Sequence, residues 1–101
     1  MATAGDATAA RPLQLTLYSR ADCHLCEEMI AGLERMQPHF SFTLNVVDVD
    51  RDLRLVKRFG TEVPVLVHGE RELCRHRIDI PGVGAYLSQL REEGTHRRRT
   101  E

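Results

Sequence analysis

Two cysteines separated by two residues stand where a strand-like segment meets a helix-like segment, and this junction constrains the whole fold. The apolar positions of Leu13–Tyr18 alternate with polar ones, which is the period of a half-buried strand. Over Leu25–Met36 the apolar residues recur at helical spacing instead, and Pro38 ends that helix. Cys23 and Cys26 lie three positions apart at its start, so their side chains are predicted to face the same way.

The predicted position of Cys23 favours its ionised form. It lies at or just before the first helical turn, where unpaired backbone N–H groups and the helix dipole stabilise an anion. A thiolate is such an anion and is the reactive form of cysteine. A C-x-x-C pair near a β-α-β pattern is typical of a thiol-disulfide redox site. We therefore predict that Cys23 attacks a disulfide and that Cys26 resolves the mixed disulfide.

The middle of the chain predicts a second strand and a second helix. Apolar residues alternate over most of Phe40–Val49, and the pattern shifts by one residue at its end, which is typical of a bulge or a buried strand end. Asp50 is the expected N-cap of a short helix over Arg51–Phe59, and Gly60 closes it. The inner face of this helix is predicted to contain Leu53 and Val56, with Leu55 and Phe59 as further candidates.

The last part of the chain predicts a hairpin and a third helix. Residues 63–67 are rich in valine, and His68-Gly69 supplies a turn into a second strand at residues 70–77. Pro81 opens a helix with apolar residues at helical spacing. The order β-α-β-α-β-β-α predicts an α/β domain with a four-stranded mixed sheet flanked by helices. The first two strands should be parallel, through a right-handed crossover, and the last two antiparallel.

Length and charge restrict the chain to one domain and few partner classes. A chain of 101 residues with formal net charge -1 has room for one core and no broad attraction to nucleic acid or anionic membrane. No stretch approaches the roughly 20 apolar residues that span a bilayer. Residues 1–10 are small and polar and lack the basic start and continuous apolar stretch of a secretory signal. We expect a cytoplasmic protein with disordered tails at residues 1–11 and 92–101 around a domain at 12–91.

In the cytoplasm ordinary cysteines stay reduced, so catalysis, metal binding or inert burial are the roles left for the three cysteines. A structural zinc site needs four ligands, and the sequence offers a single C-x-x-C pair. We therefore assign no residue to a metal. Cys74 is predicted to be a small, buried, hydrophobic residue, with redox sensing or glutathionylation as the alternative.

These features together resemble the thioredoxin superfamily and, within it, the glutaredoxin-like proteins. The resemblance covers roughly residues 12–91 and rests on the first strand, on the C-x-x-C pair and on Val63-Pro64 about forty residues later. Cys23-His24-Leu25-Cys26 followed by a VDVD strand end is similar to a group of small bacterial glutaredoxin-like proteins. The resemblance implies a thioredoxin-like fold and a thiol-disulfide exchange activity.

The resemblance also implies a substrate surface beside the cysteines. It implies a cis peptide at Val63-Pro64 that presents the Val63 backbone to a substrate, although only about 5–6% of X-Pro bonds in folded proteins are cis. Arg20 matches a basic position that binds the glutathione carboxylate, and His24 and Leu25 are assigned to the same surface. A protonated His24 would stabilise the Cys23 thiolate; the alternative is that it points to solvent.

Several positions depart from the glutaredoxin pattern. Leu25 stands where tyrosine is common, Glu62 stands where threonine is usual, and no Gly-Gly follows the predicted hairpin near Leu73-Cys74-Arg75. These departures leave the redox pair intact but weaken the assignment of glutathione as the dedicated partner.

Two functional hypotheses follow from the sequence. The first is a monomeric thiol-disulfide oxidoreductase that exchanges protein or glutathione mixed disulfides, with no bound cofactor and glutathione as a candidate reductant. The second is a non-catalytic binding or adaptor protein on the same fold, which uses the cysteines for a metal or an iron-sulfur cluster or as a redox sensor. Neither hypothesis involves a nucleic acid or membrane partner.

Overall fold

The computed structural model describes residues 13–100, and side chains as far as Glu92, so the predicted tail at residues 1–11 lies outside the described residues. The elements are β1 (Leu13–Ser19), α1 (His24–Met36), β2 (Phe42–Asp48), a 3-10 helix (Val49–Arg51), α2 (Leu53–Phe59), β3 (Val65–His68), β4 (Arg71–Arg75) and α3 (Ile80–Thr100). The predicted order of strands and α-helices is confirmed, and the 3-10 helix is an addition to it.

The four strands form one mixed sheet in the order β2-β1-β3-β4. β1 and β2 are parallel, with Ser19 opposite Asp48, while β3 is antiparallel to both β1 and β4. Tyr18 lies opposite Val65, so β1 ends where β3 begins. The loop after β1, which carries the cysteines, and the turn before β3 therefore lie at the same end of these two neighbouring strands.

Apolar side chains pack on both faces of the sheet. On one face, Leu15 and Leu17 of β1 are fully buried in a cluster with residues of α1 and α3. The helical members of this cluster are Met29, Leu33, Met36, Val83 and Leu87. On the other face a smaller cluster joins α2 to β3, and the ring of Tyr18 stacks on that of Phe59 with centroids 4.3 Å apart. Both clusters support the strand that leads into the cysteine loop.

Two predictions about the start of α2 are wrong. Asp50 lies inside the 3-10 helix, and the N-cap of α2 is Asp52, whose Oδ1 accepts a hydrogen bond from the Arg54 backbone N–H at 2.9 Å. The fully buried Val49 begins the 3-10 helix, which delays the start of α2 by two residues relative to the prediction. Leu53 then occupies the exposed first turn of α2, with 70% of its surface accessible, and is not part of the inner face.

The second and fourth strands are shorter than the sequence pattern predicted. β2 spans Phe42–Asp48 in unbroken register with β1, so the shift in its apolar pattern reflects the buried Val49 after the strand rather than a bulge. A register irregularity lies instead between Leu66 and Val67 in the pairing of β3 with β4.

Helix α3 extends beyond the predicted end of the domain. It begins at Ile80, with Pro81 in its first turn as predicted, and continues to Thr100. The sequence predicted a disordered tail from residue 92 because that segment is polar. No proline follows Pro81, and the glutamate and arginine residues of the segment have good helix propensity, which is the physical reason for the extension. Within the described residues, no helix is both long and apolar enough to cross a membrane.

Candidate functional site

The cysteine pair lies at the junction predicted from the sequence. Cys23 is the N-cap of α1, with extended backbone angles, and its Sγ accepts a hydrogen bond from the Cys26 backbone N–H at 3.2 Å. The two cysteines form a disulfide, with Cα atoms 5.2 Å apart. Cys23 is half-buried, whereas Cys26 is only 2% exposed. A molecule arriving from solvent therefore reaches the Cys23 sulfur before that of Cys26.

The short loop between β1 and the cysteines is anchored by Arg20. The Arg20 Nε and Nη2 atoms donate to the two carboxylate oxygens of Asp50 at 3.1 and 2.7 Å, and Nη1 donates to the Gly60 carbonyl at 3.2 Å. The hydrogen bond from Arg20 holds the pKa of Asp50 below its usual range. The role of Arg20 as a substrate ligand stays a prediction, while inside the protein its guanidinium connects three segments.

The two residues between the cysteines differ in their surroundings. His24 has 82% of its side chain exposed, and its Nε2 lies 2.7 Å from Oε2 of Glu28, one helical turn further along α1. This placement agrees with the alternative in which His24 points to solvent. Leu25 is half-buried. The assignment of both residues to a substrate surface stays a prediction.

The turn before β3 contains the cis peptide implied by the resemblance, at Val63-Pro64. Pro64 is fully buried and Val63 is half-buried. The Val63 N–H donates to the Phe59 carbonyl at 3.0 Å, and the Pro64 carbonyl accepts from the His76 N–H at 2.8 Å. The turn is therefore held from both sides, by the end of α2 and by the residue that follows β4.

The sequence did not predict an ion-pair network that adjoins the turn before β3. Arg75 donates through Nε and Nη2 to Glu72, at 2.6 Å each, and through Nη1 to Glu62 at 2.7 Å. His76 Nε2 lies 3.4 Å from the same Glu62 oxygen. Hydrogen bonds from Arg75 lower the pKa values of both carboxylates. Glu62 directly precedes the cis peptide, so Arg75 links β4 to that turn.

Replacing Arg75 with glutamine is expected to lower stability at neutral pH and to have a smaller effect in acid. Because the folded-state pKa values of Glu62 and Glu72 are lowered, their ionised forms stabilise the fold above the ordinary glutamate pKa of about 4.3. That contribution is lost as the pH falls through the lowered folded-state values. Urea unfolding of the wild type and of Arg75→Gln between neutral and strongly acidic pH measures the difference.

The neighbouring Arg77 provides the matched control for this prediction. The described residues give its side chain no ion pair, so Arg77→Gln should follow the wild-type pH dependence. A stability difference between Arg75→Gln and wild type that stays constant across the pH range would show that the carboxylates do not depend on Arg75.

The third cysteine lies away from the pair in the chain. Cys74 is a free, half-buried residue of β4 that packs against the larger core cluster. Burial raises the pKa of its thiol, which disfavours the reactive thiolate at neutral pH. This environment agrees with the predicted role as a small hydrophobic residue. In the part of the chain that the structure describes, no group of three or more histidine, cysteine or acidic residues is placed to hold a metal ion.

Comparison with known proteins places this site in a family. Residues 14–88 match the glutaredoxin-like domain (DUF836). The solution NMR structure of protein Ne2328 from Nitrosomonas europaea is 41% identical, covers 77% of this chain and 94% of its own, and superposes with a TM-score of 0.68. The X-ray structure of protein XcR50 from X. campestris is 34% identical, with coverages of 74% and 96% and a TM-score of 0.62.

A malarial protein of known structure is similar in fold alone, at 17% identity over 78% of this chain and 97% of its own, with a TM-score of 0.56. No curated protein matches the chain. The four-stranded mixed sheet, the flanking helices and these structures agree on a thioredoxin-like fold. Because the family match covers most of the sequence, including both cysteines and Val63-Pro64, the chain belongs to the glutaredoxin-like domain (DUF836) family.

Proposed function

We propose that the protein is a thiol-disulfide oxidoreductase that exchanges mixed disulfides of proteins or of glutathione through Cys23 and Cys26. The observation that carries the proposal is the unequal exposure of two bonded cysteines at the start of a helix: Cys23 is half-buried and Cys26 is buried. Membership of a glutaredoxin-like family supports it. The proposed setting is the cytoplasm, where such a monomeric protein contributes to redox homeostasis.

The proposed reaction transfers two electrons to the substrate in two exchange steps. The Cys23 thiolate attacks one sulfur of the substrate disulfide, forms a mixed disulfide and releases the other sulfur as a thiolate, which takes up a proton. Cys26 then loses its proton and attacks the Cys23 sulfur. This second step releases the remaining substrate thiolate and leaves the Cys23–Cys26 disulfide. Two equivalents of a thiol such as glutathione return the pair to the reduced state.

The start of α1 supports the thiolate in the first step. The Cys26 N–H already donates to the Cys23 sulfur, and a negative charge on that sulfur strengthens such a bond. A helix N-terminus typically stabilises an anion by about 0.3–1 kcal/mol, which lowers a thiol pKa by less than about one unit. We assign His24, Leu25, Val63 and Pro64 to the surface that receives the substrate, because the cysteine loop and the cis turn lie at the same end of the neighbouring strands β1 and β3.

A redox titration against glutathione buffers tests the proposal. The fraction of oxidised Cys23–Cys26 is measured by alkylation and mass spectrometry, and the thiol pKa of Cys23 by the pH dependence of alkylation. We expect a reversible two-electron transition between about -270 and -120 mV and a pKa below the roughly 8.5 of free cysteine. Cys74 should remain reduced throughout and serve as the reference thiol.

A pair that stays reduced in every buffer and shows an ordinary thiol pKa would refute the enzyme proposal. Zinc or iron bound in stoichiometric amount to the purified protein, without disulfide turnover, would then favour the binding or adaptor hypothesis.

A further inference from the structure

We infer that Arg20 is a positioning residue that fixes the cysteine loop against the turn before Val63-Pro64, rather than a ligand for a substrate carboxylate. The inference rests on the proposed function, because the placement of the loop affects a rate only if Cys23 reacts with a disulfide.

The guanidinium of Arg20 makes three hydrogen bonds to two partners, Asp50 and Gly60. Two parallel hydrogen bonds to Asp50, at 3.1 and 2.7 Å, form the bidentate geometry in which arginine binds a carboxylate most strongly. The third, to the Gly60 carbonyl at 3.2 Å, reaches a segment forty positions along the chain. Asp50 compensates the charge of the guanidinium, and three of its N–H groups are engaged inside the protein. These contacts fix the Arg20 side chain to Asp50 and to Gly60.

Gly60, which accepts the third hydrogen bond, lies three residues before the first residue of the cis peptide. A Cβ atom at this position would lie 2.5 Å from the Val56 carbonyl oxygen, so a larger residue cannot adopt this backbone without a shift. Glu62 and Val63 both donate their N–H groups to the Phe59 carbonyl, at 2.7 and 3.0 Å. The segment from Gly60 to Val63 is therefore short, and its backbone is held by hydrogen bonds to the end of α2. Displacement of the Gly60 carbonyl is expected to move Val63-Pro64.

Arg20 also lies close to the reactive cysteine along the chain. Ala21 and Asp22 alone separate it from Cys23, and Asp22 adopts a left-handed conformation with φ of 56°. The side chains of Arg20 and Asp50 are 39% and 43% exposed, and ion pairs with such exposure contribute little to stability. The expected consequence of breaking the pair is therefore a change in reaction rate with little change in stability.

The test uses two substitutions that break the same contact but change the charge in opposite directions. Arg20→Gln removes the cation, and Asp50→Asn removes its partner while leaving the guanidinium charged. Steady-state kcat and KM are measured for each variant with glutathione disulfide and with a protein disulfide. A positioning role predicts that both variants lose roughly tenfold in kcat/KM on both substrates. Because they break one contact, the double variant should be no slower than either single variant.

The opposite result would overturn the inference. If Arg20 binds a substrate carboxylate, Arg20→Gln should raise KM for glutathione disulfide alone. Asp50→Asn, which frees the guanidinium, should then lower that KM. Positioning through Asp50 is ruled out if the activities of the two variants change in opposite directions by any amount. It is also ruled out if neither activity changes.

Two further variants complete the design. Arg20→Lys keeps the charge but loses the parallel pair of hydrogen bonds, so it should be as slow as Arg20→Gln. Asp52→Asn is the matched control, since it removes a half-buried carboxylate that pairs with Arg54 outside the cysteine loop, and asparagine caps a helix as well as aspartate. It should retain wild-type kinetics. Urea midpoints of all variants verify that each is folded.

The design separates failure of the inference from failure of the proposed function. A wild-type protein without exchange on either substrate, and without a redox transition of Cys23–Cys26, contradicts the function itself. An active wild type combined with opposite effects of Arg20→Gln and Asp50→Asn contradicts the positioning role alone.

Discussion

Replacing Cys23 with serine is expected to reduce disulfide exchange to the uncatalysed background. The thiolate is the nucleophile in this chemistry, and a serine hydroxyl cannot form the mixed disulfide. Serine is also a favoured N-cap, so the start of α1 should persist and the loss should be chemical rather than structural. The measurement is the initial rate of reduction of a glutathione mixed disulfide, with the circular dichroism spectrum confirming the fold.

Cys26→Ser separates the two steps of the reaction. It keeps the exposed nucleophile and removes the resolving thiol, so the mixed disulfide at Cys23 should accumulate and be detected by its mass. Cys74→Ser is the control and should react at the wild-type rate, because Cys74 lies on β4 outside the proposed reaction. Full activity in Cys23→Ser together with loss of activity in Cys26→Ser would show that the two roles are reversed.

The largest expected loss of stability comes from Leu33→Ala. Leu33 is fully buried on α1 and belongs to the larger core cluster. Removing a buried leucine side chain costs about 2–5 kcal/mol through lost burial and the cavity left behind. Alanine has the highest helix propensity, so the loss reports on packing rather than on the helix itself. Against a typical domain stability of about 5–15 kcal/mol, this is a large fraction, measurable by urea unfolding.

Leu53→Ala makes the same chemical change at an exposed helical position. Leu53 begins α2 and is 70% exposed, so the free energy of unfolding should change by no more than about 0.5 kcal/mol. Equal losses in Leu33→Ala and Leu53→Ala would contradict the placement of the core on α1 and the exposure of the α2 start.

The features that sequence predicted correctly depend on local spacing. The position of Cys23 at the start of α1 follows from a change of apolar period within a few residues, and the parallel crossover follows from the β-α-β order. The cis peptide at Val63-Pro64 has a different origin, because it was implied by resemblance to a family. The physics of an isolated X-Pro bond favours the trans form.

The features that sequence missed depend on contacts between distant segments. Asp50 and Asp52 are equally good N-cap residues, and the choice between them depends on how the buried Val49 turns the chain after β2. The pairs Arg20–Asp50 and Arg75–Glu62 join positions 30 and 13 residues apart. In a chain with many arginine and acidic residues, nothing in the sequence order selects one such pairing over another.

The sheet order gives the two outer strands different resistance to aggregation. β4 carries the charged residues Arg71, Glu72 and Arg75, and charges on an edge strand oppose the addition of a strand from another chain. β2, at the opposite edge, has no charged residue before Asp48, and its Val46 is 45% exposed. When the protein is concentrated, a strand of another copy is therefore opposed by less charge at β2 than at β4. A lysine introduced into β2 should reduce aggregation through this edge.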